Sequence, residues 1–296
     1  MDIWEQIKRD FRFGSNLTKL IYLNIAVFLV IKILYIFLFL FQITDNNIIV
    51  YWLSLPSNFS LFLLRPWSII TYQFLHEGFL HILFNMLWLY WFGKIFLEFL
   101  SQKKLVTIYL LGGIFGGLFY IIAFNIFPAF SAYKDYSVAL GASASILAIV
   151  TTISFYVPNY TIRLMFIGNI KLKYIALFSI LLDIISIAGE NSGGHIAHLG
   201  GAFFGFVAYL QLKQGKNINF FDKIFLGFTN FFKTKPKMKV KYKSKKPPRN
   251  DYDYNKQKAE QQKQIDIILD KISKSGYNSL TKKEKEILFS ASKKNK

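Results

Sequence analysis

Eight polar side chains stand inside otherwise apolar stretches of this chain: His81, Asn85, Glu98, Ser143, Ser145, Asp183, His195 and His198. Polar groups are costly in hydrocarbon, so each is a functional candidate. A serine and a histidine suggest one chemistry directly: a neutral imidazole within reach of a hydroxyl takes its proton as the oxygen attacks a carbonyl. Ser143 lies in LGASASILA, where Gly141, Ala142 and Ala144 leave its hydroxyl open to a close neighbour. His198 lies in HIAHLGGAFFG, followed at two, three and seven residues by Gly200, Gly201 and Gly205. Gly201 and Gly205 form a GxxxG ridge on which a small-residue helix can pack. His81 and Asn85, four apart, share one helix face. With the Ser143 backbone N–H they are candidate donors to the negative charge that develops on an attacked carbonyl oxygen.

Rival chemistries fit the spacing less well. His76 and Glu77 with His81 read HExxxH, one residue longer than the zinc motif, so on one helix the two imidazoles are expected to point apart. A site of four histidines is a further metal arrangement that was weighed, but no metal and no cofactor is called for. Asp183 lacks the second carboxylate an intramembrane aspartyl protease needs and reads as a hydrogen-bonding partner of a neighbouring helix. GASAS is not a nucleophile elbow, which needs a preceding strand and Gly where Ser145 stands. His195 reads as an interfacial hydrogen-bonding residue, with a lesser claim as base. No carboxylate is expected at the level of Ser143 and His198, so the pair reads as a dyad oriented by helix packing.

The elements that must position these residues are membrane spans. Hydrophobic residues make up 53% of the 296, aromatics 18% and charged residues 18%, a balance that a soluble globule hides poorly. A span needs about 20 mostly apolar residues, and six stretches qualify: roughly 18–42, 79–100, 104–127, 138–157, 172–188 and 195–212. With the N-terminus assigned to the cytoplasm, 32 Lys and Arg fall on that side and only Arg65 and Lys134 opposite, a strong positive-inside bias. His81, Ser143 and His198 then lie three to six residues past the outer ends of the second, fourth and sixth spans, on the order of 5–9 Å deep. Three polar residues on three helices share one level. The expected fold is all-α, a polytopic six-transmembrane-helix bundle with a short helical hairpin at the C-terminus.

The remaining segments carry less chemistry. Residues 1–17 read as a cytoplasmic N-terminal segment without the pattern of a removable signal peptide. The loop 43–78 is half apolar and is expected to lie in the interface. Gly112, Gly113, Gly116 and Gly117 make small-residue ridges for helix packing. Residues 18–212 form the membrane domain, 213–260 a basic linker too polar to fold, and 261–296 a small cytoplasmic hairpin. Ile265, Ile268, Leu269 and Ile272 give its first helix, and Thr281 with Glu284 a capping box. Residues 213–296 hold 23 Lys and Arg against 8 Asp and Glu, about +15 of the chain's formal +19. Beside a membrane domain, that charge points to anionic lipid headgroups rather than nucleic acid. No cysteine is present, which excludes disulfides and thiolate chemistry. Lys-, Asn-, Ile- and Phe-heavy usage points to an AT-rich bacterial genome.

Three motifs, FLHEGFLHILFNMLWLYWFGKIFLE (74–98), GASAS (141–145) and AHLGGAFFG (197–205), resemble those of the rhomboid family of intramembrane serine proteases, in order and on the second, fourth and sixth spans. The resemblance implies Ser143 as nucleophile, His198 as base, and His81 and Asn85 as oxyanion-binding residues. It also implies cleavage of transmembrane helices near their outer ends, in a bacterial inner membrane. Ala144 replaces the usual Gly, Leu147 replaces an aromatic that stacks on the histidine, and Arg65-Pro66-Trp67 stands for a Trp-Arg pair. Two other functions were weighed: a non-catalytic relative that binds transmembrane helices, favoured only by Leu147, and a proton-coupled transporter using the histidines as a relay.

Overall fold

The computed structural model describes residues 5, 8, 9, 13–43, 48–164, 168–215 and 251–294. Most of the expected linker, residues 216–250, and part of the N-terminal segment lie outside the described residues. The described residues fall into a membrane unit and a C-terminal unit.

The membrane unit is helical and polytopic. Helix α1 (Asn16–Leu40) is capped by Ser15, whose hydroxyl accepts from the Thr18 amide at 3.1 Å. Apart from Leu17, Leu20, Asn24 and Ile31 it is largely exposed, the pattern of a helix that faces lipid along most of its length. A chain of short pieces follows: α2 (Ile48–Leu53), β1 (Leu55–Pro56), α3 (Phe59–Leu64) and α4 (Ser68–Thr71). Then come α5 (Phe79–Phe99), α6 (Gln102–Ile126), strand β2 (Val138–Ala139) and α7 (Ser143–Tyr156). Strands β3 (Thr161–Leu164) and β4 (Gly168–Lys171) lead into α8 (Leu172–Ser186) and α9 (Ser192–Lys213). Among the described residues, three helices, α1, α5 and α6, are long and apolar enough to cross a membrane, and α7 is a shorter apolar helix. At 1.5 Å per residue, α7 and α8 are about 21–23 Å long, less than the roughly 30 Å hydrocarbon core.

Helix α7 is the centre of the bundle. Every residue from Ala144 to Ser154 is buried, with α5, α6, α8 and α9 packed around it. Small residues make this possible. A Cβ on Gly201 or Gly205 of α9 would collide with the carbonyl of Ala144 or Ala148, and one on Gly112 of α6 would strike the Ala148 methyl. A Cβ on Gly116 would sit 2.6 Å from Ala144 Cβ and 2.7 Å from the Ala197 carbonyl, where α6, α7 and α9 meet. Backbone-to-backbone approach of this kind is how apolar helices associate where lipid removes the hydrophobic drive.

Two short antiparallel pairs amend the all-α expectation. β3 pairs with β4 from Thr161↔Lys171 to Leu164↔Gly168, inside the segment read as a plain loop. β1 pairs with β2 through Leu55↔Ala139 and Pro56↔Val138. This second pair also corrects the fourth stretch: residues 138–142 are apolar enough to read as span, but Val138 and Ala139 form a strand, a turn follows at 140–142, and α7 begins at Ser143. Ser143 is therefore the first residue of its helix, while His81 is the third of α5 and His198 the seventh of α9.

The C-terminal unit consists of α10 (Asp251–Ser275) and α11 (Lys282–Lys294). Helix α10 starts ten residues before the hairpin boundary read at 261; residues 256–260 (KQKAE) are strong helix formers without apolar periodicity, whereas 251–255 (DYDYN) are not. Gly276 follows it at φ 73°. The Thr281 amide donates to Glu284 Oε2 at 2.7 Å and the Glu284 amide to Thr281 Oγ1 at 3.4 Å, a capping box. Lys271 Nζ donates to both Glu284 oxygens at 2.9 and 3.0 Å.

Candidate active site

The site is built at the N-terminus of α7. The Gly141 amide donates to the Tyr72 carbonyl at 2.9 Å, and Gly141 has φ 129°, a backbone conformation that residues with a Cβ rarely adopt. That turn delivers Ser143 directly from strand β2. Ala142 gives α7 no side-chain cap, so the first-turn amides, Ser143's among them, remain available to a ligand.

His198 Nε2 and Ser143 Oγ lie 2.6 Å apart. The contact is possible because Gly201 and Gly205 bring α9 against the α7 backbone one and two turns below. On the far side of the ring, His198 Nδ1 is 2.8 Å from Asp183 Oδ1, and His195 Nδ1 is also 2.8 Å from that oxygen. The Asp183 side chain is only 9% exposed. Asp183 is thus a hydrogen-bonding partner between α8 and α9, as read from the sequence, but the expectation of no carboxylate at this level is overturned. In the six-span reading of the sequence, span five runs opposite to spans two, four and six. Counted from its outer end at 188, Asp183 stands five residues in, a signal the sequence did contain.

One cavity of about 1650 Å³ is lined by His81, Asn85, Ser143, Asp183, His195 and His198. His81 lies across the turn from the serine: a Cβ on Gly141 would be 3.0 Å from His81 Nε2 and 3.7 Å from Ser143 Oγ. Asn85 is buried, with Nδ2 donating to the His81 carbonyl at 3.0 Å. His76 and His81 were expected to point apart, yet their ring centroids are 5.1 Å apart. The reason is that His76 precedes α5 instead of riding on it. Burial, with His81 adding to it, pushes the His76 imidazole down to about 4, so it is neutral near pH 7. Ser145 does not reach the cavity. It is fully buried and donates to Gln73 Oε1 at 3.1 Å.

Gly200 serves a different contact from its neighbour Gly201, facing the Phe115 carbonyl and Phe119 of α6. The Arg65-Pro66-Trp67 segment is structural: Arg65 is buried, donates to the Tyr51 carbonyl and lies 4.0 Å over the Tyr51 ring. Among the described residues, Asp183, His195 and His198 form a group whose ligating atoms lie within 4.8 Å of one another. The two 2.8 Å separations to one oxygen are N–H···O hydrogen-bond distances.

Comparison with known proteins places this geometry in context. A family model described as Rhomboid domain matches residues 64–214, and one described as a family of unknown function, DUF6576, matches residues 250–294. The chain is 32% identical over 161 residues to RHOMBOID-like protein 12, mitochondrial, of Arabidopsis thaliana, a match covering 51% of this chain and 48% of the relative. It is 35% identical over 78 residues to Rhomboid protease GlpG of Serratia proteamaculans, covering 26% of this chain and 28% of that one. The GlpG of Yersinia pestis (strain Pestoides F) is 33% identical over 78 residues, with the same coverage. The chain therefore spans about half the length of the plant relative and about a quarter of the bacterial ones.

Proposed function

Since the chain belongs to the rhomboid family, we propose that it is an intramembrane serine endopeptidase that cleaves transmembrane segments of membrane proteins, with Ser143 as nucleophile and His198 as base. One observation carries the reading: the 2.6 Å contact between Ser143 Oγ and His198 Nε2, inside a cavity of about 1650 Å³. As Oγ bonds to the scissile carbonyl carbon, its proton passes to Nε2. The carbonyl oxygen becomes an oxyanion, which the Ser143 amide, His81 and Asn85 receive, helped by the positive end of α7. Collapse of this intermediate breaks the C–N bond, and the imidazolium returns the proton to the leaving amine. Water, deprotonated by the same imidazole, then releases the acyl group from Ser143.

In this reading α1 and α5 to α9 are six spans, and the short α7 is buried in protein from Ala144 to Ser154. The positive-inside bias puts both termini in the cytoplasm of a bacterial cell with the site near the outer face. The basic residues after α9 then meet anionic lipid headgroups. Leu147 favours a second reading, a non-catalytic protein that holds transmembrane helices. Cleavage of a detergent-solubilised transmembrane substrate by wild type, Ser143→Ala and His198→Ala separates the two. The protease reading requires cutting by wild type and at least a hundredfold loss in both variants. It also requires that a fluorophosphonate label the wild type and not Ser143→Ala; equal behaviour of all three proteins would refute it.

A further inference from the structure

We propose that Asp183 is a positioning residue for the base: it holds His198 in the Nδ1–H tautomer, so that Nε2 meets Ser143 as an acceptor. The inference rests on the Ser143–His198 reading and goes beyond a dyad. Its ground is the convergence of two imidazole Nδ1 atoms, each at 2.8 Å, on the single oxygen Asp183 Oδ1. A protonated Oδ1 has one hydrogen and can donate to only one of them. An ionised carboxylate accepts from both, so both rings carry their hydrogen on Nδ1. For His198 this leaves Nε2 bare, and the 2.6 Å contact is then Ser143 Oγ–H donating to Nε2. The opposite tautomer points an N–H at the hydroxyl and cannot take its proton.

The surroundings agree. His195 and His198, three apart on α9, present one face to Asp183 on α8, and His195 supplies a second donor to the same oxygen of this nearly enclosed side chain. Besides its two nitrogen contacts, the His198 ring meets the His195 ring edge-on, with centroids 5.9 Å apart. When the Ser143 proton arrives on Nε2, the Asp183 charge faces the new imidazolium, and the Nδ1 proton stays on the ring.

The experiment pairs kinetics with histidine spectroscopy on the full chain. Asp183→Asn preserves shape but can turn its amide N–H toward Nδ1 and force the wrong tautomer. We expect kcat to fall by up to about 10⁴-fold with KM within about threefold, and Asp183→Glu to regain at least about tenfold over Asn. Because the chain has four histidines, ¹⁵N-histidine labelling with single substitutions assigns His198. Its Nδ1 should be protonated and Nε2 bare in the wild type, and the two reversed or mixed in Asp183→Asn. Wild-type kcat in Asp183→Asn, or an Nε2–H tautomer in the unsubstituted protein, overturns the proposal while leaving the protease reading intact. Activity lost to a chelator and restored by zinc, with bound zinc missing from Asp183→Asn, overturns it in favour of a metal site. A wild type that cuts no transmembrane substrate takes both readings down together.

Discussion

Gly116→Ala perturbs the junction where α6 meets α7 and α9 beside the site. The added methyl would lie 2.6 Å from Ala144 Cβ and 2.7 Å from the Ala197 carbonyl, neighbours in sequence of Ser143 and His198. Carbon pairs rest at about 3.5–4.0 Å, so α7 and α9 must back away by about 1 Å at this point. If only half of that displacement reaches the pair, the 2.6 Å contact opens to about 3.1 Å, past the usual range for a hydroxyl donor. A misplacement of this size costs about 10²-fold in rate, while overpacking costs only about 1–3 kcal/mol of stability. The assay is kcat on a transmembrane substrate beside thermal unfolding in detergent. Gly78→Ala, whose Cβ would meet nothing within 4 Å, is the control. A folded Gly116→Ala protein cutting within a few fold of wild type would refute the claim that glycine contacts set the Ser143–His198 distance.

Other expectations follow from the same geometry. Gly141→Ala forces a Cβ into φ 129° and to 3.0 Å from His81 Nε2; it should cost about 1–3 kcal/mol and lower kcat more than it raises KM, read by cleavage kinetics. Arg65→Ala leaves the Tyr51 carbonyl without its buried donor and should lower unfolding stability by about 1–3 kcal/mol with little change in fluorophosphonate labelling once folded. Hydrogen bonds from Lys271, then from Thr281, hold the Glu284 carboxyl at about 2. Its pairing therefore supports the α10–α11 hairpin above pH 4.5 and is lost as pH falls from there through about 2. Amide shifts of Thr281 and Glu284 in a pH titration should move in that window and not between pH 5 and 8.

The sequence exposed the site's chemistry more fully than its shape. Ser143, His81, Asn85 and His198 were legible because polar residues in apolar helices are few and their spacing names the helix face. The start of α7 was not, since hydropathy cannot distinguish an apolar strand at 138–139 from a helical turn. The pairing partner that decides it lies more than 80 residues upstream, at Leu55–Pro56. His76 was misjudged by extending α5 back through Gly78, and the 5.1 Å approach to His81 depends on a break there. Asp183 is legible as a helix-to-helix hydrogen-bonding residue, but its level becomes legible only when depth is measured from the C-terminal end of its apolar stretch. The start of α10 was missed because helix propensity without apolar rhythm leaves no periodic mark.

The β1–β2 pair joins two parts of the chain that a topology diagram would keep separate. Ser57 continues the seam, donating from its amide and hydroxyl to the Ser137 carbonyl at 3.1 and 2.8 Å, and Asn125 Nδ2 reaches the Ser57 carbonyl at 2.7 Å. Only Leu140, Gly141 and Ala142 separate this splint from Ser143. Whatever grips or displaces the segment around Leu55 therefore pulls on the backbone of Ser143. A one-residue slip at 55–57 would shift the backbone that carries Ser143 without altering Ser143 or His198.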